Sequence, residues 1–207
     1  MKAYHKVAIA LAAVVILGAG LWLWGRYEVI KTAAIENKKT LAALYIQSRA
    51  RGFIKPEDFA DGDPARRRRV FQAFFDNVQS PDLFRMKVWD RNFTVIWSNL
   101  GDLIGQRFPD NHEVEEALEG KVELEMEQEE KSERVTERQF EGFSELYVPI
   151  SNAKGEIVGV IEVYQPTFSL REEIRTKFLR LAALTAVISS ALYAVAMLIL
   201  RFLMKPA

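Results

Sequence analysis

Apolar residues are spread unevenly along the chain, and the unevenness predicts most of its elements. Val7 to Gly25 is a run of 19 residues without a charge, and Leu181 to Leu200 is a second run of 20 bounded by Arg180 and Arg201. At 1.5 Å per residue each covers about 28–30 Å, the thickness of bilayer hydrocarbon, so each is expected to be a membrane-spanning helix. A cleavable signal peptide is the competing reading of the first run, because Lys2 and Lys6 precede it. The run ends in Trp22, Leu23 and Trp24 rather than in a small-x-small cleavage signature, which favours retention.

Between the runs the period changes. Val29, Ile30, Ala33, Ala34, Leu41, Leu44, Tyr45 and Ile46 continue a helical apolar stripe to about Gly52, with no Pro or Gly after Gly25 to interrupt it. The stripe and the first run therefore predict one rod of roughly 45 residues, about 65 Å at helical rise. Turn residues at 55–56 and 61–64 lead into a second helix, which carries Arg66 to Arg69, Val70, Phe71, Phe74, Phe75 and Val78 and stops at Ser80–Pro81. Leu83 to Trp89 and Phe93 to Asn99 alternate with period two around Asp90, Arg91 and Asn92, as an antiparallel hairpin does. That period places Phe84, Met86 and Val88 on one face, and Phe93, Val95 and Trp97 on one face. A short helix from Asn111 or His112 to Leu118 closes at Gly120. The charged stretch 121–141 carries Val122, Leu124 and Met126 at strand spacing. Leu146 to Ile150 and Ile157 to Tyr164 form a second hairpin, whose turn ends in Gly155, a residue that tolerates positive φ. Pro166 and Ser169 stop that strand and prepare an amphipathic helix, Leu170 to Arg180, which feeds the second span.

Charge sets the expected orientation. The segment from Arg26 to Ala182 holds 24 basic and 28 acidic residues, a net charge of −4, whereas Lys2, Lys6, Arg201 and Lys205 flank the spans with no acidic residue beside them. Positive-inside bias then puts residues 1–6 and 201–207 in the cytoplasm, spans at 7–25 and 181–200, and a domain at 26–180 on the far side of a bacterial inner membrane, in the periplasm or outside the cell. The chain has no Cys, which excludes disulfides, thiol nucleophiles and thiolate metal sites, and its two His stand too far apart in sequence to suggest a His-built metal centre. The arginine run at 66–69 opens an amphipathic helix without interleaved aromatics, so it reads as a solvated face, and no nucleic-acid partner is expected.

Several stretches resemble the extracytoplasmic Cache or PAS-like domains (the PDC type) of bacterial membrane receptors. They are KVWDRNFTVIWSN at 87–99, LIGQRFP at 103–109, EALEG at 116–120, and YVPI at 147–150 with VGVIEVY at 158–164. The resemblance covers roughly 28–168. It implies an α+β fold with a central antiparallel sheet of about five strands and a long N-terminal helix behind it. It implies a homodimer paired through those helices, and a small organic acid, amino acid, other metabolite or cation in the cup before the sheet. It also implies a signalling output, either a separate partner or a C-terminal fusion such as a histidine kinase, with a diguanylate cyclase as the alternative.

The chemistry of the chain matches binding better than turnover. There is no Gly-rich phosphate loop, HExxH or nucleophile elbow, so neither a catalytic site nor a cofactor is expected within these 207 residues. Adjacent carboxylates such as Glu115–Glu116 point in different directions and make no acid/base pair. The ligand-binding candidates are Trp89, Arg91, Trp97, Arg107, Arg134, Tyr147 and Tyr164, since Arg grips a carboxylate bidentately and Trp and Tyr give an apolar wall with polar edges. Trp97 shares its expected face with Phe93 and Val95, which favours a core role, and Tyr147 and Tyr164 are equally suited to hydrogen bonds within the hairpin. Arg85 and Lys87 are expected as exposed sheet residues. Two other classes stay open from the residues alone: an interaction protein that uses the 121–141 segment, and a membrane-anchored hydrolase.

Overall fold

In the computed structural model, which describes residues 2–60, 63–126 and 142–203, a helix α1 runs over Lys2–Phe53 and a helix α4 over Phe168–Leu203. Both are long and apolar enough to cross a membrane, and the most apolar stretch of each is not buried inside the protein. α4 begins two residues earlier than the apolar period predicts. The outer parts of α1 and α4 form one compact unit and Glu36–Ser169 another. Within the first unit the Tyr27 and Phe178 rings meet edge to face at 5.4 Å, and the Tyr193 hydroxyl donates to the Ala8 carbonyl at 3.4 Å.

The second unit is an α+β domain built on one five-stranded antiparallel sheet. Its strands are β1 (Arg85–Trp89), β2 (Val95–Ser98), β3 (Glu123–Met126), β4 (Phe143–Ser151) and β5 (Ile157–Pro166), in the PAS-like order β2-β1-β5-β4-β3. The first and last hairpins are thereby neighbours, and β5 lies at the centre. Helix α2 (Pro64–Val78) starts as its sequence dictates, with Pro64 in its first turn and the Asp63 carboxylate accepting the Ala65 N–H at 2.9 Å. Helix α3 (His112–Leu118) is capped by the Asn111 side chain, which accepts the Val114 N–H at 2.8 Å, and the chain turns out of it at Gly120 with φ +98°.

One face of the sheet is apolar. Met86, Val88, Leu146, Val148, Ile161 and Val163 form a core there with Ala43, Ile46 and Ala50 of α1 and with Phe71, Phe74 and Phe75 of α2. Each fully buried Val, Leu, Ile, Met or Phe among them contributes about 1.5–3 kcal/mol. Gly159 is the tight point of this layer: a Cβ there would lie 2.2 Å from the Phe59 ring and 2.5 Å from the Trp89 carbonyl oxygen, so only hydrogen fits.

The β1–β2 hairpin departs from simple alternation. A bulge between Val88 and Trp89 sets Val88 against Trp97 but Trp89 against Val95. The extra residue, Ile96, splits the face expected for Val95 and Trp97. Val95 joins Trp89 on the other side of the sheet, and Trp97 packs into the apolar core, 5.8 Å from Phe75 and 6.3 Å from Phe71 between ring centroids. The exposure expected of Arg85 and Lys87 is also corrected: they are only 6% and 3% exposed.

The charged face of the sheet as a candidate functional site

Strand register builds the site directly. On the face opposite the apolar core, Ser98, Lys87, Glu162, Tyr147 and Glu123 form one row across all five strands, and Arg85, Tyr164, Glu145 and Glu125 form the next. Directly opposed residues have Cβ atoms roughly 4.5–5.5 Å apart, so the rows form a grid of touching side chains. A third row, Val95, Trp89, Val160 and Pro149, turns apolar. There Trp89, Tyr147 and Val160 pack with Val114 and Ala117 of α3.

The centre of the grid is an ion pair out of contact with solvent. Lys87 Nζ donates to Glu162 Oε1 at 2.8 Å, with Lys87 3% and Glu162 0% exposed. Lys87 Nζ also donates to the Tyr164 hydroxyl oxygen, and Trp89 Nε1 donates to Glu162 Oε2 at 2.7 Å. Both carboxylate oxygens of Glu162 are thus occupied by charged or polar donors, the condition under which a buried charge is tolerated. Arg85 Cζ and Lys87 Nζ each lie 4.8 Å from the centroid of the Tyr164 ring. The Tyr147 hydroxyl donates to Glu145 Oε2 at 2.7 Å. Burial pushes the Tyr147 phenol well above its ordinary range, and the carboxylates of Glu162 and Glu145 push it further, so it stays protonated and acts as a donor. Arg85 and Lys87 balance Glu145 and Glu162, leaving the buried part of the face neutral overall. At the exposed end of α3, a hydrogen bond from Lys121 holds Glu116 below the usual carboxylate range, a surface contact apart from the grid.

The structure sorts the seven sequence candidates. Trp89, Tyr147 and Tyr164 meet on the charged face. Trp97 lies in the apolar core. Arg91 is exposed on the β1–β2 turn, where it lines an open cavity of about 260 Å³ with Phe59, Asp90, Asn92 and Glu156. Arg107 Nε donates to the Asn92 carbonyl at 2.8 Å and braces the same turn. Arg134 lies outside the described residues, as does most of the 121–141 segment. Sequence reading missed Lys87, Glu162, Glu145 and Arg85. The signal was present in two places: a lone Glu within VGVIEVY, and two cations within RMKVW, each flanked by residues suited to burial on both faces. A charge in a doubly buried strand demands a partner. Among the described residues no group of three or more His, Cys, Asp or Glu side chains could hold a metal ion.

No family model matches this chain, and no curated protein matches it. Among solved structures, the crystal structure of a sensory box sensor histidine kinase from Vibrio cholerae gives a TM-score of 0.33 at 16% sequence identity, over 49% of this chain and 92% of that one. A likeness that weak carries no argument about function.

Proposed function

We propose that this protein is the input module of a membrane-bound receptor. In this reading residues 7–25 and 181–200 span the inner membrane, and 26–180 is an extracytoplasmic sensor that converts binding of a small polar ligand into a displacement across the bilayer. The observation that carries the reading is the position of the buried ion pair: Glu162 and Tyr164, which hold Lys87, lie on β5, and only Thr167 separates β5 from α4. A zwitterionic ligand such as an amino acid, whose carboxylate takes Lys87 and whose ammonium takes Glu162, replaces one buried pair by two and alters the strand that leads to the membrane helix. Such a ligand shifts an existing balance by the difference in its affinity for the two arrangements. Trp89 and Tyr147 supply the apolar wall with polar edges beside the pair. On α1, exposed Leu41, Leu44 and Tyr45 (59%, 57% and 42%) support a homodimer through the N-terminal helices.

The test is thermal unfolding of the full chain in lipid nanodiscs against a panel of carboxylates, amino acids and amines. A saturable rise in Tm with one compound supports the receptor reading, since a ligand that binds only the folded state raises its stability. Silence across the panel, with a membrane protein co-purifying in fixed ratio, replaces it with the interaction reading. A topology reporter fused at Gly142 is expected on the extracytoplasmic side.

A further inference from the structure

We infer that the start of α4 is a two-position switch in which Thr167 and Ser169 compete to begin the helix. As folded, α4 starts at Phe168, which leaves Thr167 in the capping position. Thr is a good cap because its hydroxyl accepts a backbone N–H of the first turn. Here Thr167 is 1% exposed and its Oγ1 has no hydrogen-bond partner, so the cap goes unused and a buried polar atom is left unsatisfied. Two residues on, the sequence offers a second start: Ser169, Leu170, Arg171, Glu172 has the spacing of a capping box, in which the Ser hydroxyl accepts the Glu N–H and the Glu carboxylate accepts the Ser N–H. That box is not made in this state, because Glu172 Oε1 instead accepts from Arg175 Nη1 at 3.2 Å, in an exposed pair that is easily given up.

The two starts are close to balanced in hydrogen bonds. Starting at Phe168, the helix bonds the Arg171 N–H to the Thr167 carbonyl and the Glu172 N–H to the Phe168 carbonyl. Starting after Ser169 it loses both, gains both bonds of the box, and releases Thr167 from its unsatisfied position. Upstream the chain is held, since Lys38 Nζ donates to the Pro166 carbonyl at 3.3 Å and the Thr167 N–H donates to the Gly142 carbonyl at 3.2 Å. The change is therefore confined to about two residues, which lengthen the connection by about 3–4 Å when they pass from helical to extended rise. The inference needs no ligand and stands or falls apart from the receptor reading.

Amide hydrogen exchange of the full chain in nanodiscs, resolved by NMR, tests it at two neighbouring residues. The short start frees the Arg171 N–H but keeps the Glu172 N–H bonded to the Ser169 hydroxyl; simple fraying also frees Arg171 first, but it draws nothing from a cap at Ser169, so the Ser169 variant separates the two. Arg171 is expected to exchange about tenfold faster than Glu172, and Ser169→Ala to slow Arg171 several-fold by removing the second cap. Thr167→Val is expected to slow Arg171 in the same direction without lowering Tm. Equal exchange at Arg171 and Glu172, or an Arg171 rate that Ser169→Ala leaves unchanged, overturns the switch.

Discussion

The two faces of the sheet are made by the same strands and are held by different physics. On the apolar face, burial is non-directional and summed over many contacts, so it tolerates exchange of one hydrophobe for another of equal volume. On the charged face, Lys87, Glu162, Trp89 and Tyr164 form directed contacts in which the loss of one member strands the others. A buried ion pair contributes little stability relative to a hydrophobic replacement, yet breaking it is costly. A face that could have been apolar but carries paired charges is the face on which to look for specificity.

That contrast can be broken by mutation. The largest effect is expected from Glu162→Ala, which leaves Lys87 buried without its counter-charge and should cost about 3–5 kcal/mol in denaturant unfolding. The double variant Lys87→Met with Glu162→Leu should recover most of that loss while abolishing any ligand response. If the double variant is as unstable as the single one, the two faces do not differ as described. Gly159→Ala should cost about 1–3 kcal/mol or more, because its Cβ meets the Trp89 carbonyl as well as the movable Phe59 ring. Ile161→Leu on the apolar face should cost less than about 1.5 kcal/mol by the same measurement.

The smallest effect is alkaline. The folded-state value of Tyr147 lies above its unfolded value of about 10, so the folded chain holds this proton more tightly. The associated stability is fully present below pH about 10 and is lost as pH rises from there toward the folded value. Unfolding midpoints measured from pH 8 to 11 should fall less steeply in Tyr147→Phe than in the parent chain. An unchanged slope would place the phenol in a less buried setting than this one.

Much of this was legible beforehand because it rests on local patterns. The two uncharged runs, the Asp63–Pro64 helix start, the Gly120 and Gly155 turns and both hairpins follow from period, capping and turn chemistry over a few residues. The site was legible only in part. Alternation told which residues share a face, but not which face would be covered, and so Arg85 and Lys87 read as exposed. Their partners lie on β5, with Glu162 75 positions from Lys87, and pairing across that separation follows from strand order rather than from any local signal. Trp97 was weighed correctly toward the core, but through a face it does not share with Val95, because one extra residue in β2 has no distinctive sequence mark.

The ring seated over Gly159 also constrains how β5 can move. A strand keeps its inside and outside only if it slips by an even number of residues, and a slip of two would bring Ile157 or Ile161 beneath Phe59, where not even a methyl group fits. The ring acts as a peg in a notch. Together with the Trp89 carbonyl, which cannot give way as the ring can, it makes sliding of the central strand along its own axis costly.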